Sequence, residues 1–182
     1  MTKKGDPRRK IISIEDLEKF RETHRNKKIV FTVGCFDILH HGHIYFFNDC
    51  ANLGDILVVG IARDATLQEL KGPQRPINKE LNRLHLLSGL EHIDYVLLNE
   101  EMLKSGRMGE YAETKIDFKN ILEKLSPDVF VLGEDTISSQ VKKKVCGELG
   151  IEVVVVGKDT FEGTTRISSS NIVEELMEKK DE

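Results

Sequence analysis

The sequence predicts an α/β fold, a Rossmann-like doubly wound parallel five-stranded sheet in a single domain. Three observations carry that expectation. Short runs rich in Val, Ile and Leu recur from Ile29 onward, amphipathic helical patterns separate them, and glycines 54 and 150 stand where a helical pattern stops just before a strand resumes. A length of 182 residues suits one domain with a sizeable core.

The elements follow in order. Lys3, Lys4, Arg8, Arg9 and Lys10 form a basic cluster that reads as a solvated tail. Ser13 precedes Ile14, Leu17 and Phe20 at helical spacing, with Asp16 three residues on, so an accessory helix begins there and ends near Thr23. Residues 1–27 are therefore expected as tail and accessory helix, and 28–182 as the main domain. Strands are expected at 29–33, 56–62, 95–98, 129–132 and 151–156, each apolar on both faces as a strand between two helix layers must be. Helices are expected at 43–53, 79–90, 118–125, 138–149 and 169–179. Right-handed crossovers then wind the chain onto both faces of the sheet. The stretch 99–117, with two glycines and no clean period, reads as a lid, an oligomer contact or a plain surface insertion.

Bulk composition narrows the partners. With 32% charged and 39% hydrophobic residues and a net charge of -4, the chain is of ordinary globular type and has no general electrostatic pull toward nucleic acid. Cys35, Cys50 and Cys146 are odd in number and lack a CxxC pair, which argues against a disulfide framework and a thiolate zinc site and for a reducing compartment. No apolar run approaches the ~18 residues of a membrane span, and the N-terminus is too polar for a signal peptide. A cytoplasmic protein with no membrane or nucleic-acid partner is expected.

The stretch "VGCFDILHHGH", residues 33–43, places a carboxylate and three histidines directly beyond the first strand. In an open parallel sheet, ligands bind beyond the carboxyl ends of strands where strand order reverses. Gly34 allows close backbone approach, and the following helix, starting near Gly42 and His43, offers unpaired N–H groups to an anion. His40 and His43 can face the same anion, whereas His41 faces away. A metal site lacks further ligands at suitable spacing. No GxxxxGK[ST] or GxGxxG loop is present, so phosphate would be bound by other means.

"GCFDILHHGH" resembles the GxFDxxHxGH signature of the nucleotidyltransferase superfamily that holds glycerol-phosphate cytidylyltransferases, archaeal FAD synthetases, phosphopantetheine adenylyltransferases and heptose-phosphate adenylyltransferases. "RISSSNIV", residues 166–173, is similar to the late ISSS/ISTT element of that superfamily. The resemblance implies that Gly34, Cys35, Phe36 and Asp37 form the loop under the nucleotide, with Gly42 in the same motif. It implies that His40 and His43 contact the phosphates, and that Ser168, Ser169 and Ser170 offer donors to the triphosphate tail. A serine cluster opening a helix is also a cap and a phosphate nest on physical grounds. Asp37 has a second reading, hydrogen bonding within its own loop.

The segment "LKGPQRPINKELNRLHLLSGLEHIDYVL" resembles most the heptose-1-phosphate adenylyltransferase branch, with Lys71, Arg75 and Arg83 at the matching positions. Lys71 would lean toward the α-phosphate or the acceptor phosphate, and Arg83 would brace the same region from its helix; an arginine on a loop is usually solvated, so Arg75 is the weakest of the three. Gly163 stands where the cytidylyltransferase branch carries an arginine, and Arg166 offers charge nearby. Asp64 and Asp135 lie beyond strand ends and read either as ribose or acceptor contacts or as helix caps. The implied activity is transfer of a nucleoside monophosphate from NTP, ATP first, to a sugar phosphate such as heptose 1-phosphate. Glycerol 3-phosphate with CTP, and FMN, are alternative acceptors. Mg2+ is implied as the cofactor carried with NTP, and a homodimer as the assembly. A nucleotide-binding regulator without catalysis is the alternative of another class.

Overall fold

The computed structural model describes residues 5–99, 119–134, 139–157 and 167–179. Five parallel strands form one sheet: β1 (Ile29–Gly34), β2 (Ile56–Ile61), β3 (Tyr95–Leu98), β4 (Val129–Gly133) and β5 (Glu152–Val156), in the order β3-β2-β1-β4-β5. The chain first steps outward from β1 to β2 and β3, then returns to the other side of β1 for β4. Strand order therefore reverses between β1 and β4, which pair from Val30 opposite Val129 to Thr32 opposite Val131.

Side-chain alternation explains why both faces are covered. Ile29, Phe31, Ile56, Val58, Phe130 and Leu132 face one core layer; Val30, Leu57, Val59, Ile61, Val129 and Val131 face the other. The first layer is closed by α1 (Leu17–Thr23), α5 (Lys119–Leu125) and α6 (Ser139–Glu148), through Leu17, Phe20, Ile121, Leu122, Leu125 and Cys146. The second is closed by α2 (His41–Ala51) and α4 (Glu80–Ser88), through Phe47, Cys50, Leu84 and Leu87. The last helix, α7, spans Ser169–Glu178. At the amino end of the sheet, Asp55, Asp94 and Asp128 accept hydrogen bonds from the N–H groups of Lys28, Leu57 and Ile29, satisfying donors where strands begin.

Two features differ from the sequence expectation. A helix not anticipated between β2 and α4 occupies Asp64–Lys71 (α3), burying Thr66 and Leu67 and ending at Gly72 with φ of 95°. The basic N-terminal cluster is also only partly a solvated tail. Pro7–Lys10 forms a 3-10 turn, and the N–H of Ile12 donates to Val96 O at 2.9 Å, covering part of the β3 edge. Lys10 Nζ donates to the carbonyls of Leu90 and Ile93 at 2.9 and 2.6 Å. No described helix is long and apolar enough to cross a membrane.

Candidate active site

The site is built from the loop leaving β1. Gly34 ends that strand, and a Cβ there would lie 2.7 Å from the Phe36 ring, so glycine is what lets the loop fold back on itself. Phe36, at φ of 48°, turns its ring inward against Phe47 and meets His43 edge-on at 5.4 Å. A core aromatic thus props a candidate phosphate ligand.

His40 is the N-cap of α2, which opens one or two residues earlier than the sequence periodicity suggests. The rings of His40 and His43 lie 3.9 Å apart at 33°, at the N-terminus of the helix. A Cβ on Gly42 would come within 3.1 Å of His40 Nδ1, so the glycine makes room for that ring. His43 Nδ1 lies 3.4 Å from the N–H of His40, a long contact that favours the tautomer with its proton on Nε2. His43 then presents a donor. His41 is exposed beside Tyr45, as its expected outward orientation requires.

The late serine cluster meets this loop from the far end of the chain. Ser168 caps α7, its Oγ accepting from Asn171 N–H at 3.2 Å, and Ser169 Oγ donates to Ile38 O at 2.9 Å. Two helix N-termini, those of α2 and α7, therefore converge on the segment between Asp37 and His40. Ser168 and Ser169 are engaged with protein groups, while Ser170 is exposed.

A third side is a polar network joining the loop to α3, α4 and the 72–79 connection. Arg83, 0% exposed, donates through Nε to Asn78 O (2.9 Å), through Nη1 to Cys35 O (2.7 Å) and through Nη2 to Asp64 Oδ1 (2.8 Å). Asp64 begins α3, and its own N–H donates to Glu80 at 2.9 Å. Asp37 is buried, with both carboxylate oxygens engaged by Arg75, Ile77 and Asn78. The side chains of Arg83 and Asp37 are therefore turned into the protein, and they shape the loop rather than projecting from it. Arg75, read from sequence as solvated, is 8% exposed. Lys71 is exposed at the end of α3.

Burial raises the Cys35 thiol above its ordinary value, and the charges of Lys71, Arg83 and Lys142 oppose that only in part. Lys71 and Lys142 are thus both close enough for their charge to be felt at the loop. Lys142, in the first half of α6, carries no motif, and sequence reading did not single it out; its only signal was its place just after β4, the neighbour of β1. Asp135, Arg166 and the stretch 100–117 lie outside the described residues.

Burial raises Cys50 as well, and brings Cys146 up to about 11. With all three thiols held above their free value, little thiolate exists near pH 8 in the folded chain. Iodoacetamide at that pH should label the native chain slowly and all three cysteines rapidly in urea. Fast labelling of native Cys35, read by mass spectrometry, would contradict its raised thiol.

A shallow cleft bordered by Leu122, Asp128 and Ile151 opens at the opposite end of the strands and has none of these groups in its lining. Among the described residues no cluster of three or more His, Cys, Asp or Glu side chains could hold a metal ion.

A family model described as cytidylyltransferase-like matches residues 31–175. The bifunctional protein HldE of Campylobacter concisus is 40% identical over 152 residues, covering 83% of this chain and 29% of that protein. The bifunctional protein HldE of Helicobacter hepaticus is 39% identical over 171 residues, covering 94% and 31%. The chain thus spans less than a third of the length of these curated relatives. A crystal structure of the lipopolysaccharide core biosynthesis protein from Thermoplasma volcanium GSS1 is similar with a TM-score of 0.55 and 32% identity, over 75% of this chain and 99% of that one. Pantoate-beta-alanine ligase from Francisella tularensis shares the fold, with a TM-score of 0.65 at 18% identity over 93% of this chain and 76% of that one.

Proposed function

Because the chain belongs to the cytidylyltransferase-like family, we propose that it is a nucleotidyltransferase that moves a nucleoside monophosphate from ATP to a sugar 1-phosphate, heptose 1-phosphate first. One observation carries the reading: Ser169 Oγ donates to Ile38 O across 131 residues, bringing a second helix N-terminus to the loop that holds His40 and His43. Two helix N-termini, two imidazoles and the charge of Lys71 around one loop make a place for a polyphosphate. The sugar phosphate is supported by the LKG..RP segment and by the HldE relatives.

In the reaction, an oxygen of the acceptor phosphate attacks the α-phosphorus of the triphosphate. The new P–O bond forms as the bond from the α-phosphorus to the oxygen bridging to the β-phosphorus breaks, and pyrophosphate leaves. No protein nucleophile is needed; two anions must be brought in line and their charge neutralised. His40 and His43 donate to the phosphate oxygens, the N–H groups opening α2 and α7 hold the tail, and Lys71 draws the acceptor phosphate toward the α-phosphate. Asp37 and Arg83 shape the loop from beneath. The carboxylates near the site are engaged, Asp37 by two N–H donors and the Arg75 charge and Asp64 by Arg83, so the residues would fit an Mg2+ carried by the triphosphate. Such an ion supplies neutralisation of phosphate charge.

The test mixes the chain with ATP or CTP, Mg2+, and separately heptose 1-phosphate, glycerol 3-phosphate and FMN. Pyrophosphate release with ATP and the sugar 1-phosphate is expected. Nucleotide binding without release for any acceptor would sink the enzymatic reading and favour a regulator.

A further inference from the structure

Asp37 and Arg75 are both buried, their side chains 0% and 9% exposed. Nη2 of Arg75 lies 2.9 Å from Asp37 Oδ2. The N–H groups of Ile77 and Asn78 donate to Oδ2 and Oδ1 at 3.1 and 2.8 Å, and Asn78 Nδ2 donates to the Asp37 carbonyl at 2.6 Å. Nε and Nη2 of Arg75 have no hydrogen-bond acceptor among the described residues, so the ion pair with Asp37 is what holds this guanidinium. A single carboxylate in the histidine loop thus gathers two N–H donors and one guanidinium charge from a segment about forty residues further along the chain.

That segment starts immediately after Lys71. Gly72, at φ of 95°, breaks α3, and the N–H of Arg75 turns back onto Gly72 O at 3.1 Å. The placement of Lys71 relative to His40 and His43 is therefore set at two points, by α3 itself and by a contact one tight turn later. Burying two opposite charges adds little net stability, because desolvation offsets most of the Coulombic gain. Its return is a fixed geometry, and here the geometry fixed is that of the connection carrying the cation.

We propose that the Asp37–Arg75 pair is a latch that holds Lys71 against the histidine loop, which makes Arg75 a positioning residue for the acceptor-phosphate side of the site. The proposal rests on the phosphate-transfer reading above. Arg75 touches no reacting atom; it acts through the loop that it closes.

The test compares Arg75→Ala, Lys71→Ala, the double variant and Arg75→Lys, using ATP, Mg2+ and heptose 1-phosphate, with hydrogen exchange of the same proteins. Arg75→Ala is expected to lower kcat about tenfold through misplacement of a positioned group. In the Lys71→Ala background the same change should cost less than about twofold, because the group it positions is gone. Exchange at the amides of Ile77 and Asn78 should speed up in Arg75→Ala while β1 amides keep their protection, and Arg75→Lys should recover part of both effects. Full multiplication of the two single losses, or unchanged exchange at Ile77 and Asn78, overturns the latch. Full turnover in Lys71→Ala overturns it too, without touching the transfer reaction. If the unsubstituted chain releases no pyrophosphate, the proposed function fails, and the exchange data alone then decide whether the latch exists.

Discussion

Replacing His43 with alanine is expected to lower turnover by roughly a hundredfold or more, the usual cost of losing one donor aimed at developing charge. His43 sits in the first turn of α2, its Nδ1 faces the N–H of His40, and in the proposed reaction Nε2 is the donor toward the phosphate that the helix terminus would attract. The ring is fixed by Phe36 on one side and His40 on the other, so little reorganisation is needed when charge develops. The fold should survive, since both core layers are built mainly from other side chains. His40→Ala should cost a similar factor. The double variant should cost less than the product of the two, because in the proposed reaction rings 3.9 Å apart would serve one anion. Steady-state pyrophosphate release reports the rate, and circular dichroism confirms the fold. A His43→Ala variant with an unchanged rate would remove the histidine from the chemistry.

The sheet was legible because its strands are apolar on both faces, a pattern with few alternatives, and the helices closing it have apolar residues at helical spacing. α3 was not legible. Among its residues Asp64–Lys71 only Thr66 and Leu67 are buried, too few to establish a period, and the glycine and proline that follow suggest a loop. The two halves of the site were legible as motifs, and their meeting was implied only by the resemblance, not by any pattern in the residues. No periodicity links Ser169 to Ile38; that hydrogen bond depends on where the sheet delivers α7. Charge misled in a consistent way. Arg75 on its loop reads as solvated and Arg83 as a brace beside the phosphates, yet both are buried, because their partners lie on other segments and are invisible until the chain is folded. Lys142 escaped notice because it carries no motif and only the fold brings its charge near the loop.

Arg83 carries the largest expected effect on stability. Its three donating nitrogens bind Asn78 O, Cys35 O and Asp64 Oδ1, so one side chain ties the 72–79 connection, the histidine loop and α3 to α4. Arg83→Ala leaves two carbonyls and a carboxylate without that partner and opens a cavity where a fully buried side chain stood. The Asp64 side chain keeps 20% exposure, so water recovers part of its loss. A cost of about 3 to 5 kcal/mol is expected for removing one partner of such a pair. For a chain of this size that corresponds to a fall in Tm of roughly 10 °C. Arg83→Lys keeps the charge but not the planar fork, and cannot reach all three acceptors, so it should recover only part of the loss. Urea denaturation with an unchanged m-value would place the effect in the folded state. A loss for Arg83→Ala below about 1 kcal/mol, the range of an ordinary exposed ion pair, would show that the network contributes little. The contrast with His43 is the decisive comparison. One substitution should take away rate and leave Tm, while the other should lower Tm and reduce rate through the loop that Arg83 shapes.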